Sequence, residues 1–145
     1  MKQFIRLLLP LFLATIACDA AIPNAINGSG KIETKTYEVS GFDQVEMNTI
    51  GEVHIEQGAT DSLTIETDDN ILPLLVVKVE GSKLTLDSKS NVNLQPSGII
   101  VFHVTVKKLS AVIANSSGDM FAEPLAGETF DVSLNASGNV TLKDL

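Results

Sequence analysis

The amino-acid sequence predicts an all-β protein: a single-stranded β-helix, or β-solenoid, of about five coils, preceded by a signal peptide. Three observations predict this fold. From residue 31 onward, apolar and polar residues alternate with a period of two, as they do in half-buried strands. Turn-forming Gly, Asn, Asp and Ser residues separate these runs at short intervals, and an Asn-x-x-Gly motif recurs along the chain. The alternative is a β-sandwich or jelly roll in which the Asn and Gly turns are incidental.

Length and charge restrict the class of protein. The chain has 145 residues, which suits one domain, and 44% of them are hydrophobic, too many for an intrinsically disordered chain. Ten Lys and Arg residues stand against 18 Asp and Glu residues, a formal net charge of −8. Since nucleic-acid binding needs a basic face, no nucleic-acid partner is expected. A single Cys excludes an intrachain disulfide framework.

Residues 1–17 are predicted to be a secretory signal peptide. Lys2 and Arg6 form a short basic start, and the uncharged apolar run that follows extends only from Leu7 to Ala17. A helix that spans a bilayer needs about 20 residues, so this run is too short for a transmembrane anchor. Basic, then apolar, then small residues is the order found in secretory signals. We therefore expect the protein to be exported.

The only Cys lies where this signal ends. The sequence TIAC at residues 15–18 resembles the lipobox of bacterial lipoproteins, with Thr15 in the place of the usual Leu. The resemblance implies cleavage before Cys18, acylation of that residue, and a membrane-anchored lipoprotein in the periplasm or at the cell surface. Cleavage after Ala20 or Ala21, which gives a soluble periplasmic or secreted protein, is the alternative.

Residues 18–30 are predicted to link the anchor to the folded domain. After Cys18 this segment holds small residues, Pro and Gly with no clear period, which is typical of a flexible tether. The β-helix domain is accordingly predicted to cover residues 31–145. Within it, residues 70–77 are compatible with a helical turn, which Pro73 limits to a single turn.

Five runs carry the strand pattern most clearly. In each of them apolar residues occupy every second position, and mostly polar residues lie between them. One face of each run is thus predicted to be buried and the other to be solvated. The runs are residues 53–56, 63–66, 77–80, 84–87 and 100–107.

The Asn-x-x-Gly motif supplies the repeat. Its copies begin at positions 48, 115 and 135. The first interval, 67 residues, is close to three times the second, 20 residues. Asn70 and Asn91 lie near the two positions at which further copies would fall in the first interval. A period of roughly 20 residues, made only of short strands and turns, is typical of one coil of a β-solenoid. Asn and Gly suit its corners because both tolerate turn conformations, and stacked Asn side chains would form a ladder. The predicted turn residues are Asn48, Gly51, Asn115, Gly118, Asn135 and Gly138.

The order of several short motifs resembles one family. The motifs are GSG at residues 28–30, YEVSGFDQV at 37–45, GEVHIEQG at 51–58, NILP at 70–73, SGD at 117–119 and SGN at 137–139. Together they resemble the GIN-domain family, also named putative auto-transporter adhesin head domains, over roughly residues 28–145. The resemblance implies a right-handed β-helix on secreted or lipid-anchored bacterial proteins whose molecular function is largely unknown. It implies no catalytic residues.

The end of the chain departs from the family pattern. Members usually continue for several more coils, whereas this sequence stops at Leu145, just after the strand that begins at Asn139. The last coil is therefore expected to expose an open edge, which is a site for strand pairing with another chain. We expect self-association through this open C-terminal coil, or else a C-terminally truncated product of low stability.

Candidate groups for chemistry are few. His54 and His103 each lie between apolar residues, so alternation turns both outward, and neither has a Cys or a second His at the spacing of a zinc site. Asp68 and Asp69 are adjacent in a turn beside Asn70. Acidic clusters serve polysaccharide-cleaving enzymes, but adjacent Asp residues in a turn are more often plain turn formers. No catalytic residue, metal site or cofactor is predicted.

The surface is the remaining candidate for function. The outward positions of the strands carry Thr, Ser, Glu, Lys and Asp. Such flat polar sheets suit weak, multipoint contacts with carbohydrate or protein. The sequence therefore predicts a non-enzymatic cell-envelope β-helix protein that works by contact, as an adhesin-like surface or periplasmic lipoprotein. The alternatives are a β-helix that binds or cleaves polysaccharide, and an inactive truncated fragment.

Overall fold

The structure, a computed structural model, describes residues 24–123 and 131–142. Within these ranges the chain forms β-strands and one short 3-10 turn, so the predicted all-β class is confirmed. The strands are β1 (Ala25–Asn27), β2 (Ile32–Tyr37), β3 (Gln44–Met47), β4 (Glu52–Gln57), β5 (Ser62–Asp68), β6 (Leu75–Glu80), β7 (Lys83–Ser88), β8 (Asn93–Gln95), β9 (Val101–Val106), β10 (Ala111–Ala114), β11 (Asp119–Ala122), β12 (Asp131–Leu134) and β13 (Val140–Leu142).

Most of these strands belong to two sheets. The first sheet has the order β12-β10-β3-β7-β6, and the second has the order β13-β11-β4-β9-β5-β2. Pairing is parallel except at one end, where β6 runs antiparallel to β7 in the first sheet, and β5 and β2 run antiparallel to their neighbours in the second. A small third sheet pairs β1 with β8 in parallel.

Each parallel strand of the first sheet leads into a strand of the second. The pairs β3–β4, β10–β11 and β12–β13 are joined by short corners, and β7 and β9 by a longer connection that contains β8. Successive pairs stack in register, so that Val112 lies opposite Val45 on one side and Val132 on the other. Met120 likewise lies opposite Val53 and Val140. One strand pair therefore repeats the next at the spacing of hydrogen-bonded strands, about 4.8 Å.

The spatial order of these strand pairs is not their order in the sequence. β3–β4 lies between β7–β9 and β10–β11, while β5 and β6 run antiparallel at one end of the sheets. This corrects the expectation of about five coils in sequence order, with Asn70 and Asn91 as two of the corners. A tight hairpin also joins β6 to β7, in which Gly81 has φ +60° and Glu80 pairs with Lys83. Such a turn reverses the chain and excludes a parallel coil there.

The core consists of the inward residues of the alternating strands. In β3, β4, β9, β10 and β11, buried positions alternate with more exposed ones, as the period of two predicts. Burying one large aliphatic side chain contributes about 1.5–3 kcal/mol relative to its exposure, so these rows are the main source of stability. The largest fully buried side chains are Phe102, Met47, Ile55, Leu63, Ile65, Ile71, Leu84, Leu86, Ile100, Met120, Val45 and Val53.

Residues 24–30 are hydrogen-bonded to the rest of the domain. Ile26 of β1 lies opposite Leu94 of β8, and the amide nitrogen of Gly28 donates to the carbonyl oxygen of Gln95 at 2.8 Å. The sequence predicts a flexible tether over residues 18–30, but from residue 24 onward this segment is instead part of the fold. A small residue is required for the close approach, because a Cβ atom on Gly28 would collide with the carboxylate of Asp68.

Helical structure is confined, in the described ranges, to the 3-10 turn Leu72–Leu74. Pro73 stands at its start and Leu72 is buried, which matches the single turn predicted within residues 70–77. No helix among the described residues is long and apolar enough to cross a bilayer.

Candidate functional site

Three rings form a column on the outer face of the second sheet. His54 of β4 lies opposite His103 of β9 on one side and Phe121 of β11 on the other. The ring centroids of His54 and His103 are 5.6 Å apart with an interplanar angle of 26°, and those of His54 and Phe121 are 5.0 Å apart with an angle of 16°. Parallel in-register pairing places equivalent side chains above one another, which produces this stack. Both histidines point outward, as their alternation predicts.

Carboxylates flank the ring column on both sides. Nε2 of His54 lies 3.3 Å from Oε2 of Glu52, and Glu52 lies opposite Asp119 in the sheet. On the other side, Glu56 accepts a hydrogen bond from Oγ1 of Thr105 at 3.0 Å. An open groove of about 510 Å³ runs here, and its lining residues are His54, Glu56, Gln57, His103 and Glu123.

Ring nitrogens and carboxylates line this groove together with the amide of Gln57, whose Nε2 donates to the carbonyl oxygen of Lys107 at 2.9 Å. Among the residues that the structure describes, no group of three or more His, Asp or Glu side chains is placed to hold a metal ion. On this face the rings supply apolar area and the carboxylates beside them supply negative charge. We call the column His103–His54–Phe121 together with its flanking carboxylates the ring face.

The outer face of the first sheet differs in charge from the ring face. There Nζ of Lys83 lies 2.7 Å from Oε2 of Glu46. The hydrogen bond from Lys83 is the largest cause that holds the pKa of the Glu46 carboxyl below its ordinary value. An ion pair thus lies on the outer face of the first sheet, whereas the column on the second sheet has carboxylates on either side.

The corner asparagines Asn48, Asn115 and Asn135 are brought together. Nδ2 of Asn115 donates to Oδ1 of Asn48 at 2.8 Å, and Nδ2 of Asn135 donates to Oδ1 of Asn115 at 2.8 Å. Nδ2 of Asn115 also donates to Oε1 of Glu46 at 2.9 Å. The same amide orientation therefore repeats from one strand pair to the next, and the three side chains form a hydrogen-bonded ladder.

Gly51, Gly118 and Gly138 lie at the same corners. Gly51 has φ +130°, a conformation that other residues rarely adopt. A Cβ atom on Gly118 would lie 2.6 Å from the carbonyl oxygen of Gly51 and 2.8 Å from Sδ of Met47, and one on Gly138 would collide with the carbonyl oxygen of Gly118. The stacked corners therefore approach too closely for any side chain at these positions.

Asp68, Asp69 and Asn70 hold the N-terminal segment, and we call these three residues the clasp. Asp68 is fully buried. Its carboxylate accepts hydrogen bonds from the amide of Gly30 at 2.7 Å, from the amide of Ser97 at 2.9 Å and from the hydroxyl of Ser97 at 2.6 Å. The Ser97 hydroxyl is the largest cause that lowers the pKa of Asp68 below its ordinary value.

The other two residues of the clasp bind the same segment. Oδ1 of Asp69 accepts a hydrogen bond from the Ser29 hydroxyl at 2.6 Å, and Oδ2 lies 3.1 Å from Nζ of Lys31. Ser29 first and then Lys31 lower the pKa of Asp69. Asn70 accepts from the amide of Ser29 at 3.0 Å and donates to the carbonyl of Asn27 at 2.8 Å. A glycosidase needs one carboxyl whose pKa is raised, and neither Asp68 nor Asp69 provides it.

Sequence reasoning missed Phe121, the clasp partners and the longer connection that carries Ser97. A signal for Phe121 was present: it lies six residues after Asn115, as His54 lies six residues after Asn48. Equal offsets from a repeated corner place residues in one column. No comparable signal pointed to Ser97, whose contact with Asp68 depends on the non-sequential order of the strand pairs. Cys18 lies outside the described residues, so its acylation stays a prediction.

The family comparison covers most of the chain. Residues 41–145 match the model of a family described as putative auto-transporter adhesin, head GIN domain. No curated protein matches the chain.

Several solved structures have a similar fold. A putative adhesin from Bacteroides fragilis NCTC 9343 is 25% identical with a TM-score of 0.75, over 81% of this chain and 55% of that one. A putative lipid binding protein from Parabacteroides distasonis ATCC 8503 is 24% identical with a TM-score of 0.63, over 68% of this chain and 44% of the other. A putative adhesin from Parabacteroides merdae ATCC 43184 is 21% identical with a TM-score of 0.61, over 68% and 41%. The chain thus spans about half the length of these proteins or less.

Proposed function

The chain belongs to the family described as putative auto-transporter adhesin, head GIN domain, and on that premise we propose that it is a non-enzymatic contact protein of the bacterial cell envelope. It is held at a membrane by a lipid on Cys18 and meets a carbohydrate or protein partner through the ring face. The observation that carries the proposal is the ring column itself. Rings on a hydrogen-bonded sheet are rigid and partly exposed, so they lose little conformational entropy when a partner binds.

The architecture proposed for this role is a β-solenoid of right-handed coils. Its support is the in-register parallel stacking of β3–β4, β10–β11 and β12–β13 and the Asn ladder at their corners. A sandwich of the immunoglobulin type would instead pair antiparallel strands. Stacked parallel coils provide long flat outer faces, which suit repeated weak contacts.

Two substitution sets test whether the ring face makes the contact. The first set is His54→Ser with Phe121→Ser, and the matched control is Thr85→Ser with Ile113→Ser on the outer face of the first sheet. Both sets alter half-buried outward positions. On glycan arrays and in adherence assays on immobilised proteins, we expect the first set to weaken wild-type binding about tenfold or more, and the control set to retain it. Equal binding by both sets would place the contact elsewhere.

A labelling experiment tests the lipid anchor. Cells that express the protein are grown with radioactive palmitate, and the label is expected in the wild type and absent from Cys18→Ser. Fractionation of the same cells is expected to place the wild type with membranes and the variant in the soluble fraction. A variant that still carries the label would rule out Cys18 as the acylated residue. A soluble, unlabelled wild type would favour cleavage after Ala20 or Ala21 instead.

Polysaccharide cleavage is the competing activity. The occupied, low-pKa carboxyls of Asp68 and Asp69 do not favour it. The wild-type protein is expected to leave a panel of polysaccharides at their starting length. Cleavage that is lost in Asp68→Ala or Asp69→Ala, with the fold retained, would overturn the non-enzymatic proposal.

A further inference from the structure

Two isoleucines are exposed together at one corner of the fold. Ile50 is 40% exposed and Ile99 is 59% exposed. They line a shallow pocket of about 290 Å³ with Pro96, Gly98 and Ile100, at the place where β3 turns into β4. A folded protein leaves single apolar side chains on its surface at random, but two in one pocket with a proline form a small apolar patch. We call Ile50, Pro96 and Ile99 the apolar corner.

The apolar corner lies beside the point where the N-terminal segment enters the fold. β1 pairs with β8, and the amide of Asn93 donates to the carbonyl oxygen of Asn24 at 3.1 Å. Asn93 and Leu94 line one pocket together with Ile50, and β8 runs directly into Pro96 and Ile99. Asn24, the first described residue, is thus hydrogen-bonded to a residue that shares a pocket with Ile50.

Chain length keeps this corner close to the proposed anchor. Five residues lie between Cys18 and Asn24, so the chain takes six steps from one to the other. Whatever the conformation, six steps reach at most about 20–22 Å, because an extended chain advances about 3.3–3.6 Å per residue. A lipid on Cys18 would therefore hold Asn24 within about that distance of the bilayer. The strand β8, which leads into the apolar corner, begins beside Asn24.

We propose that the apolar corner lies against the lipid surface and inserts Ile50 and Ile99 into its interfacial region. The proposal rests on the proposed anchoring at Cys18 and deepens it by fixing which side of the domain faces the membrane. One acyl anchor and a nearby apolar patch act together, since each additional apolar group adds to partitioning once the first holds the protein at the surface. The anchored domain is thereby oriented rather than free to turn.

Charge sets the kind of membrane that this corner fits. Glu52 and Asp119 line the same pocket as the two isoleucines, and the whole chain is acidic. Anionic lipids repel carboxylates over roughly a Debye length, about 8–10 Å in physiological salt. The contact is therefore shallow and is favoured by zwitterionic lipid.

Site-specific fluorescence tests the orientation in the full-length lipidated protein. Ile50→Cys and Ile99→Cys are each labelled with an environment-sensitive fluorophore, since an acylated Cys18 leaves no other thiol. The matched control is Thr60→Cys, an exposed position beyond the far end of β4. In phosphatidylcholine vesicles that contain nitroxide lipids, we expect labels at 50 and 99 to lose roughly half of their emission and the label at 60 to keep nearly all of it. Adding phosphatidylglycerol is expected to reduce the quenching.

The outcomes separate this proposal from the anchor on which it rests. Vesicle flotation comes first. If the protein floats and all three labels stay unquenched, the contact of the apolar corner with the membrane is refuted while the anchor is retained. Equal quenching at 50, 99 and 60 refutes a fixed orientation of the domain. Protein that does not float refutes the anchor. In that case an N-terminal polyhistidine tag bound to nickel-chelating lipid replaces the acyl chain, and the same three labels decide the orientation.

Discussion

At the scale of the residue, the Asn ladder is the most local support of the stack. Asn115 donates to Asn48 and Glu46 and accepts from Asn135, whereas Asn135 has one ladder bond among those described. A hydrogen bond contributes about 0.5–1.5 kcal/mol net. We expect Asn115→Ala to lower the free energy of unfolding by about 1–2 kcal/mol and Asn135→Ala by about half as much, as measured by urea denaturation. Equal losses would show that the side chains act independently of their stacking.

The corner glycines give a sharper test of close packing. In Gly118→Ala the new methyl group must displace both the carbonyl oxygen of Gly51 and the Met47 side chain. Overpacking of this kind costs about 1–3 kcal/mol, and we expect thermal unfolding to report a loss in that range. Gly98→Ala is the matched control, because a Cβ atom there meets nothing within 4 Å. A stability of Gly118→Ala close to that of this control would contradict the stacked corners.

The residues that could be predicted from the sequence are those that repeat. Asn48, Asn115 and Asn135 share their neighbours in the motif and lie in one ladder. Asn70 matched only the spacing, and its side chain binds the N-terminal segment instead. Spacing alone is weak evidence because Asn also serves as a turn and capping residue. A motif of two residue types at a fixed separation is stronger evidence, because it specifies the local backbone as well.

At the scale of the element, the clasp determines whether β1 stays attached. Asp68→Asn keeps the size of the side chain but places an amide donor where Gly30 and Ser97 already donate. We expect the hydrogens of the backbone amides of residues 25–31 to exchange with solvent roughly tenfold faster or more, since the hydrogen bonds to the Asp68 carboxylate would no longer oppose local opening of this segment. Asp87→Asn is the control, because Asp87 accepts from the neighbouring amide of Ser88. Unchanged exchange in Asp68→Asn would show that strand pairing alone holds the segment.

The same carboxyls make stability depend on pH. The pKa values of Asp68, Asp69 and Glu46 are lowered in the folded protein. Their contribution is therefore present above the ordinary carboxyl pKa of about 4 and is lost as the pH falls through the folded values. We expect the Tm, followed by circular dichroism, to fall below about pH 4, and to fall less steeply in Asp68→Asn. A Tm that rises as the pH falls below about 4 would contradict the lowered pKa values assigned to these carboxyls.

The strands themselves could be predicted, but their directions could not. Alternation in residues 63–66 and 77–80 marked β5 and β6 correctly as half-buried strands. A period of two is the same in parallel and antiparallel strands, so the pattern carries no information on direction. The antiparallel direction of β6 and β7 follows from the hairpin at Gly81 that joins them. β1 and β8 have three residues each, too few for any period to be visible.

At the scale of the whole molecule, one end of the two sheets differs from the rest. Val132, Leu134 and Leu142 are 41%, 50% and 37% exposed, whereas their in-register neighbours Val112, Ala114 and Ala122 are buried. The described strands β12 and β13 therefore continue the core rows without the cover that the inner pairs have. Their backbones also lie at a sheet edge in the described ranges, as strand addition requires.

We propose that this edge pairs with the same edge of a second copy, and the association is open to a direct test. Sedimentation of the wild type should show a larger species that grows with protein concentration, because apolar burial and backbone pairing both favour contact. Leu134→Lys places a charge in the contact and should remain a monomer. Ile32→Lys, at a residue also 50% exposed but on the far edge strand β2, should associate like the wild type. A wild type that stays monomeric at every concentration would contradict pairing at this edge. If both variants lose association, the loss is an effect of the added surface charge and not of the edge itself.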